Sequence, residues 1–454
     1  MNLSRMLAAR AEAGRPVRVG LIGAGKFGGM WLNRARRTPG IHVLGVADLD
    51  PGRAREQLRH VGWEAARIGA ADAGAALRDG TTWVTDDALA LIAAGGLEVV
   101  VEATGDPAAG IAHARAARRA GVHAVMVNVE ADALAGPLLA AEFRAAGLVY
   151  SMAWGDQPAL IAEHVDWARA GGFEVVAAGK GTRYLPSFHA STPETVWERF
   201  GWSAEVVARG RLNPKMFNSF IDGTKSGIEM TAVCNATGLR PQAGGLRFPP
   251  ASRFEVAEVC KPAAEGGTVD FAGTTEVVSS LTREGALVPA HLQYGTYVVI
   301  AAGDDYARWC FEEYDMLPDS SFRYGALYRP THMIGLELGV SIASAALRGE
   351  PTGAPDGFRA DVVATAKRDL KAGEVLDGEG GYCVWGRQAP AEVSLAEGWL
   401  PLGLASGVAL TRDVAAGETL RRADVALDPA AEAVRARAEI EALFAPPAAA
   451  GAAG

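Results

Sequence analysis

The N-terminal third of the chain alternates between short apolar runs and longer amphipathic stretches. The runs at 17–22 and 42–47 are almost wholly apolar, which is typical of strands buried on both faces. Strands are predicted at 17–22, 42–47, 98–103, 123–128 and 148–152, with helices at 1–15, 53–61, 86–94, 108–120 and 133–146 and one ending near residue 37. Strands that alternate with helices form parallel sheets with right-handed crossovers, so residues 17–152 are predicted to be one α/β domain behind a leader helix at 1–16.

Beyond residue 152 the alternation becomes less regular. The pattern predicts helices at 158–170, 224–236 and 332–347, a strand at 174–178 and a strand-like piece at 292–301. We therefore predict a separate α+β domain at 153–350 that binds substrate and supports oligomerisation. Its last helix is expected to pack back on the first domain.

The C-terminal part contains an internal repeat. Residues 368–376 recur at 412–420, and each copy reads as a strand, an Ala-Gly turn and a second strand. Two copies are too few for a solenoid, so we predict a small β domain at 356–430. Residues 431–454 are predicted to be a helix followed by a mobile tail.

Charge and cysteine usage exclude some functions. The chain carries 44 Lys and Arg against 53 Asp and Glu, a net charge of −9, and phosphate backbones require a basic face, so a nucleic acid is not expected as partner. No apolar run is long enough for a membrane span, and the N-terminus lacks a signal-peptide core. The four cysteines lie far apart without a CxxC pair, which fits a reducing compartment, and a cytoplasmic protein is expected.

A glycine motif follows the first predicted strand. Gly23-Ala-Gly25-Lys26-Phe27-Gly28 matches G-x-G-x-x-G and opens a predicted helix. In such motifs the first glycine makes a tight turn, the second admits a pyrophosphate and the third lets helix and strand pack closely. Asp48 ends the next strand, where a carboxylate binds the adenosine ribose. We predict a Rossmann domain that binds NAD, with NADP left open because Arg53 and Arg55 follow Asp48 closely.

Polar residues end two further predicted strands. Thr104 and Gly105 follow one strand, and Asn128 and Glu130 follow the next. Ligands of open α/β sheets lie outside the carboxyl ends of the strands, so these residues are expected near the nicotinamide ribose. Ordinary helix caps explain Thr104 equally well, and Glu130 could instead be a partner of a helix dipole.

The catalytic candidates lie in the second predicted domain. Lys180 stands between two glycines after a strand, where it could hold a carboxylate, phosphate or carbonyl oxygen or be a plain surface-loop lysine. Lys225 and Glu229 are spaced to share one helix face, with Asp222 one turn earlier. They could relay a proton to a substrate hydroxyl, or they could form a solvated salt-bridge face.

His332 could act as a general acid or base before the last helix, or it could be bonded only locally. No cluster with metal-ligand spacing appears in the sequence. A divalent metal held by scattered carboxylates is therefore left open but not indicated.

The motifs together resemble a known superfamily. The order Gly23–Gly28, Asp48, Glu102-Ala-Thr-Gly105 and Val127-Asn-Val-Glu130 resembles the homoserine-dehydrogenase superfamily, and the repeat resembles the SAF (β-clip) domain. Within that group, Asn128-Val-Glu-Ala-Asp132, Ala178-Gly-Lys-Gly181 and Asp222-Gly-Thr-Lys225 look like the deoxyxylulose-phosphate reductoisomerase-like enzymes. The resemblance implies hydride transfer joined to a skeletal rearrangement, and it allows NADPH.

These observations predict an NAD(P)-dependent oxidoreductase acting on a hydroxyl or carbonyl of a small polar substrate, a sugar phosphate or polyol acid. Such a substrate is expected to be anionic. Homoserine dehydrogenase is the first alternative. A non-catalytic cofactor-binding regulatory or scaffold protein is the second. A dimer or tetramer is expected by analogy.

Overall fold

The computed structural model describes residues 2–210 and 212–444, so the predicted mobile tail lies mostly outside the described residues. Its strands are β1 (Val17–Ile22), β2 (Ile41–Ala47), β3 (Trp83–Thr85), β4 (Val99–Glu102), β5 (His123–Met126), β6 (Tyr150–Met152), β7 (Glu174–Thr182), β8 (Thr274–Ser279), β9 (Thr296–Ala301), β10 (Tyr324–Arg329), β11 (Ala360–Ala366), β12 (Val375–Asp377), β13 (Val384–Pro390) and β14 (Ser406–Ala409).

The α-helices connect and cover these strands. They are α1 (Leu3–Glu12), α2 (Lys26–Ala35), α3 (Pro51–His60), α4 (Ala73–Asp79), α5 (Ala88–Ala93), α6 (Pro107–Arg119), α7 (Val129–Ala145), α8 (Gln157–Ala170), α9 (Val196–Phe200), α10 (Ala204–Gly210), α11 (Pro214–Ile221), α12 (Thr224–Thr237), α13 (Val256–Val259), α14 (Asp305–Glu313), α15 (Gly339–Arg348), α16 (Ala391–Glu397) and α17 (Glu432–Phe444).

Two compact units divide the chain, and the division differs from the five predicted segments. Unit 1 comprises Met1–Glu163 and His332–Asp356, and unit 2 comprises His164–Thr331 and Gly357–Gly454. The predicted C-terminal β segment therefore clusters with the middle of the chain.

Unit 1 contains a six-stranded parallel sheet in the order β3-β2-β1-β4-β5-β6. Apolar side chains of β1, β2 and β4 form its core together with Trp31 and Leu32 of α2. Leu338 and Ile342, at the start of α15, join the same core. The strand order reverses between β1 and β4, and ligands of such sheets bind at this crevice.

Unit 2 contains a four-stranded mixed sheet in the order β10-β9-β7-β8. β7 lies parallel to β8 and antiparallel to β9. Two small antiparallel sheets, β11 with β13 and β12 with β14, come from the C-terminal part. The predicted α/β fold class, with a parallel Rossmann-like sheet, a mixed-sheet domain and small C-terminal sheets, is confirmed.

The two copies of the repeat hold each other's turns by equivalent contacts. Asp413 accepts a hydrogen bond from Ala372 N at 2.9 Å, and Asp369 accepts one from Ala416 N at 2.9 Å. Gly373 and Gly417 have φ values of 83° and 80°, which require glycine in both turns. Most of the predicted strands of the repeat are not strands in the structure: only residues 375–376 of the first copy belong to one, and isolated bridges such as Leu370 with Val414 connect the copies.

A buried ion pair holds helix α17 against the rest of the C-terminal part. Arg437 is 1% exposed and donates to both carboxylate oxygens of Asp361 in β11, at 2.6 and 3.1 Å. The pair ties the last described helix to the first strand of this part.

Several predicted boundaries are wrong in ways that matter for the site. β7 extends to Thr182 and does not end at 178. Gly179 and Gly181 do not form a turn. Neighbouring backbone approaches both of them so closely that a Cβ on either would lie within 2.0 Å of a carbonyl oxygen. The helix predicted from 133 begins at Val129, where Asn128 caps it. The helix predicted from 332 begins at Gly339.

Strand β8 was not predicted. It is buried throughout but carries Glu276 and three hydroxyl side chains, so it lacks the apolar run expected of such a strand. Among the described residues, no helix combines the length and apolar character that a membrane span requires.

Candidate functional site

The glycine loop of unit 1 has the geometry that a dinucleotide requires. Gly23 has φ 93°, and a Cβ there would lie 2.6 Å from Ala103 O at the end of β4. A Cβ on Gly28 would lie 2.3 Å from Gly23 O, so only glycine lets α2 pack this closely. A Cβ on Gly25 would meet nothing within 4 Å, which leaves open space where a pyrophosphate would approach.

The first turn of α2 faces this space. Gly25 is the N-cap residue, and no side chain of the described residues caps the helix there. The backbone N–H groups of Lys26, Phe27 and Gly28 therefore stay available to an anion, which the helix dipole also favours. Lys26 is exposed and Phe27 is half-buried.

Asp48 ends β2 beside the loop and is already engaged by the protein. Its Oδ2 accepts from Ala24 N at 2.8 Å. Its Oδ1 accepts from Arg53 Nη2 at 2.7 Å and also from Asp50 N. Burial raises the pKa of Asp48, but the hydrogen bonds from Arg53, Asp50 and Ala24 outweigh it and hold the pKa below its usual value. The Arg53 side chain is 62% exposed, so it lies open to a ligand.

The loops after β4 and β5 are tied together by Asn128. Its Nδ2 donates to Asp106 O at 2.7 Å and to Thr104 Oγ1 at 3.2 Å, while its Oδ1 caps α7 through Ala131 N. Gly105 has φ 74° between these contacts. Glu130 lies in the first turn of α7 and does not end a strand as predicted. Thr104 and Asn128 are therefore hydrogen-bonded to each other, and Asn128 is the N-cap residue of α7.

Two buried carboxylates at the same edge of the sheet were not among the predicted site residues. Glu102 Oε1 accepts from Thr104 Oγ1 at 2.6 Å and lies 3.1 Å from His113 Nδ1. Asp132 Oδ1 accepts from the Tyr150 hydroxyl at 2.9 Å. The second oxygen of each carboxylate is buried without a hydrogen-bond partner among the described residues. Burial raises the pKa of Asp132 to about 7.

Lys180 lies inside β7 and not on an exposed turn, so the surface-loop interpretation is wrong. Its side chain is 4% exposed and forms an ion pair with Glu229 of α12, whose side chain is 2% exposed. The predicted solvated salt-bridge face is therefore also wrong for Glu229. The pair joins the sheet to the helix across the interior of unit 2.

Asp222 precedes α12 and pairs with a lysine from the C-terminal part. Lys367 Nζ lies 2.7 Å from Asp222 Oδ2, and both side chains are at most 2% exposed. The lysine also donates to the carbonyl oxygens of Ser191 and Gly381. Asp222 Oδ1 accepts from Thr224 N at 2.9 Å, so this carboxylate also starts α12.

Lys225 is the most exposed of these three lysines. Its side chain is 14% exposed, and its Nζ lies 3.9 Å from Glu379 Oε1, which is a loose contact. Glu379 follows β12 and was not a predicted site residue. A partly exposed ammonium is a suitable donor to a substrate oxygen.

His189 holds the backbone at the start of α12. Its Nδ1 lies 2.7 Å from Asp222 O and therefore donates, which leaves Nε2 to accept from the Tyr184 hydroxyl at 2.8 Å. Its ring stacks on Trp385 at 3.7 Å between centroids. Burial lowers the pKa of His189, so the ring is neutral.

The structure brings together four of the five predicted catalytic residues within unit 2, on or next to β7 and α12: Lys180, Asp222, Lys225 and Glu229. His332 belongs to unit 1 and lies in the loop before α15. Within residues 2–210 and 212–444, no group of three or more His, Cys, Asp or Glu could hold a metal ion.

Sequence reasoning missed Lys367, Glu379, His189 and Trp385. Lys367 directly precedes the repeat, so its position beside a conspicuous motif was the available signal. Nothing in the local sequence of His189 points to Asp222, because the contact is tertiary.

Residues 155–338 match a protein family described as "Oxidoreductase DRL, catalytic domain". The match covers less than half of the chain and includes β7, α12 and the four clustered candidates. The match agrees with the predicted enzyme class, an oxidoreductase. A comparison with curated proteins finds no match.

Solved structures with partial likeness are oxidoreductases of low identity. A 3-ketoreductase from Actinomadura kijaniata is 18% identical, with 38% of this chain and 50% of that chain covered and a TM-score of 0.25. An oxidoreductase from Agrobacterium radiobacter in complex with NAD+, L-tartaric acid and magnesium is 20% identical, with 37% and 44% covered and a TM-score of 0.26. An oxidoreductase domain protein from Kribbella flavida is 17% identical, with 63% and 71% covered and a TM-score of 0.32. The chain spans about half the length of the first two, and scores this low support no statement about substrate.

Proposed function

We propose that this protein uses NADH or NADPH to interconvert a carbonyl and a hydroxyl group on a small anionic substrate, a sugar phosphate or a polyol acid. One observation carries the proposal. Three lysine–carboxylate pairs surround the N-terminal half of α12, within or in contact with the segment that matches an oxidoreductase catalytic domain.

Lys225 is the proposed proton donor. Negative charge develops on the substrate oxygen as a carbonyl carbon accepts hydride, and an ammonium aimed at that oxygen stabilises it. Transfer of one proton from Lys225 to this oxygen completes the alcohol. In the oxidative direction the same amine accepts the proton. Glu379 Oε1 lies 3.9 Å from the ammonium and is proposed to help position it.

Lys180 and Glu229 are proposed to orient the substrate. They form a buried pair, and breaking it would leave an uncompensated charge in the interior. Asp222 and Lys367, together with His189, are proposed to fix the start of α12 and so the position of Lys225. His332 keeps its proposed role as an alternative acid or base.

The glycine loop and the first turn of α2 are proposed to hold the cofactor pyrophosphate. A bound nicotinamide supplies or accepts the hydride. Asp48 is proposed to reach the ribose only through a change of its present hydrogen bonds, since both of its oxygens are occupied. The exposed Arg53 supports acceptance of a 2′-phosphate, so we propose that NADPH is used as well as NADH.

The finer assignment is also a proposal. A reductoisomerase-like reaction would join a skeletal rearrangement to the hydride transfer, and the resemblance of 128–132, 178–181 and 222–225 supports it. The C-terminal part that contains the repeat is proposed to be SAF-like, and its part in the site is to supply Lys367 and Glu379. A homo-oligomer in the cytoplasm is proposed, and a light-scattering mass equal to one chain would contradict the first point.

Cofactor absorbance at 340 nm tests the proposal with a panel of sugar phosphates and polyol acids. Wild type is expected to change the absorbance with at least one of them, and Lys225→Met is expected to lose at least a hundredfold in kcat while binding cofactor normally. The matched control is Lys371→Met, because Lys371 is exposed and pairs with Asp413 in the repeat. Wild-type turnover in Lys225→Met would refute the assignment.

A further inference from the structure

A second set of basic side chains lies at the end of β7. We call Arg183, Arg253 and His291 the basic cluster. Arg183 directly follows β7, and a Cβ on Gly181 would lie 1.9 Å from Leu292 O, so the loop carrying His291 passes against this end of the strand. Ser252 forms a backbone bridge with His291, and Arg253 N donates to Ala290 O at 3.0 Å.

The arginines of the basic cluster lack the carboxylate partners that the buried cations of the ion pairs in unit 2 have. Lys180, Lys261, Lys367 and Arg437 each face a buried carboxylate. Within the part of the chain that the structure describes, no Asp or Glu pairs with either arginine of the cluster. Arg183 Nε donates to a carbonyl oxygen, that of Arg199, at 2.7 Å.

Arg253 carries the clearest sign of a missing partner. Its Nε is buried without a hydrogen-bond acceptor among the described residues. The guanidinium lies over the rings of Phe254 and Tyr328, with centroid distances of 5.2 and 5.9 Å, which hold it in place. A buried donor without an acceptor costs about 1–3 kcal/mol, so a fixed guanidinium in this state is suited to an external anion.

The charges of the cluster also act on one another. Burial lowers the pKa of His291, and the positive charges of Arg183 and Arg253 lower it further. Like charges that depress an imidazole pKa mark a region of positive potential, which an anion would relieve. All three residues are half-buried, so the cluster is open to solvent.

We propose that the basic cluster binds an oxyanion group of the substrate, a phosphate monoester or a carboxylate. This inference rests on the proposed function, because it gives that function's substrate its anionic end. Planar guanidinium groups bind both phosphate and carboxylate through paired hydrogen bonds.

Calorimetric titration with inorganic phosphate, and separately with malonate, tests the binding directly and distinguishes the two oxyanions. Wild type is expected to bind at least one of them saturably, and Arg253→Gln is expected to weaken that affinity at least tenfold. The matched control is Arg323→Gln, because Arg323 lies at the opposite end of β9 and pairs with Glu265 at 2.9 Å. Equal affinity in wild type and Arg253→Gln, or no saturable binding to wild type, would overturn the proposal.

Steady-state kinetics then separate this inference from the proposed function. With a turned-over substrate, Arg253→Gln and His291→Gln are expected to raise KM at least tenfold with kcat nearly unchanged, and the anion is expected to compete with substrate. An anion that binds through Arg253 in a protein without any turnover would refute the proposed function and retain the binding site. Unchanged KM in both variants, with thermal unfolding like wild type, would refute the subsite and retain the proposed function.

Discussion

Two sets of buried carboxylates, one in each compact unit, have different surroundings. In unit 2, the buried carboxylates of Asp222, Glu229, Asp319 and Asp361 each face a lysine or an arginine. In unit 1, Asp132 faces only the neutral hydroxyl of Tyr150, and one oxygen of the carboxylate has no partner among the described residues. Glu102 likewise has one unpartnered oxygen.

This difference separates two uses of a buried acid. A carboxylate paired with a cation stays ionised and fixes the elements that carry the two charges, at the cost of desolvating both. Asp132 lacks a cation and therefore resists ionisation, and burial raises its pKa to about 7. The pairs of unit 2 therefore give position, and Asp132 gives unit 1 a dependence on pH.

The largest expected effect comes from breaking a pair. Lys180→Met leaves the buried Glu229 without its cation, so the free energy of unfolding should fall by about 3–5 kcal/mol. Urea unfolding monitored by circular dichroism measures the loss.

The double variant Lys180→Met/Glu229→Leu separates stability from function. An apolar replacement of both charges is expected to restore most of the unfolding free energy. Turnover should remain absent, since neither residue can orient the substrate. A double variant as unstable as the single one would show that the pair is not the source of the loss.

The second effect is the pH dependence of unit 1. The pKa of Asp132 is raised from 3.8 to about 7 in the folded state. Between these values the unfolded chain releases a proton that the folded chain keeps, so the stability of the folded state falls as pH rises and levels off above about pH 7. Asp132→Asn removes this contribution, and its stability relative to wild type should improve by a few kcal/mol from pH 4 to pH 7. Parallel pH curves for the two proteins would contradict this expectation.

The third effect contrasts two glycines of unit 1. Gly28→Ala forces a Cβ against Gly23 O and should cost about 1–3 kcal/mol of stability. Gly25→Ala places its Cβ in open space and should leave thermal unfolding nearly unchanged. It should instead weaken cofactor binding at least tenfold, because the methyl group occupies the approach of the pyrophosphate. Cofactor fluorescence titration measures this, and equal affinity in wild type and Gly25→Ala would argue against the pyrophosphate site.

The smallest effect concerns the exposed Arg53 of unit 1, which pairs with Asp48. Arg53→Ala should raise KM for NADPH severalfold and leave KM for NADH within about twofold, because a guanidinium contact to a 2′-phosphate contributes about 1–2 kcal/mol. Arg55→Ala is the neighbouring control. An equal change of KM for both cofactors would assign Arg53 a structural role through Asp48 alone.

Sequence reasoning worked where the interacting residues follow one another. The turn at Gly23, the helix start at Gly25 and the close packing at Gly28 are properties of six successive residues between a strand and a helix, so their spacing predicts their geometry. The same holds for the turns at Gly373 and Gly417, each confirmed by a positive φ.

It failed where long-range contacts decide the role of a residue. Lys180 was predicted on a turn because glycines flank it, yet these glycines are there because Glu276 O and Leu292 O approach the strand. The partner of Asp222 comes from residue 367, and no local pattern links the two. Burial converts such residues from surface candidates into fixed pairs, and burial depends on the whole fold.

The pair between Arg437 and Asp361 has a consequence for how the chain is made. The chain emerges from the ribosome with its N-terminus first, so β11 emerges many residues before α17. Until α17 emerges, Asp361 lacks the guanidinium that neutralises it in the finished protein. The same part of the chain carries Lys367 and Glu379, which complete the charges around α12. The ion pair of Asp361 is therefore still incomplete when the glycine loop has already been synthesised. It forms only after α17, the last described helix, has emerged.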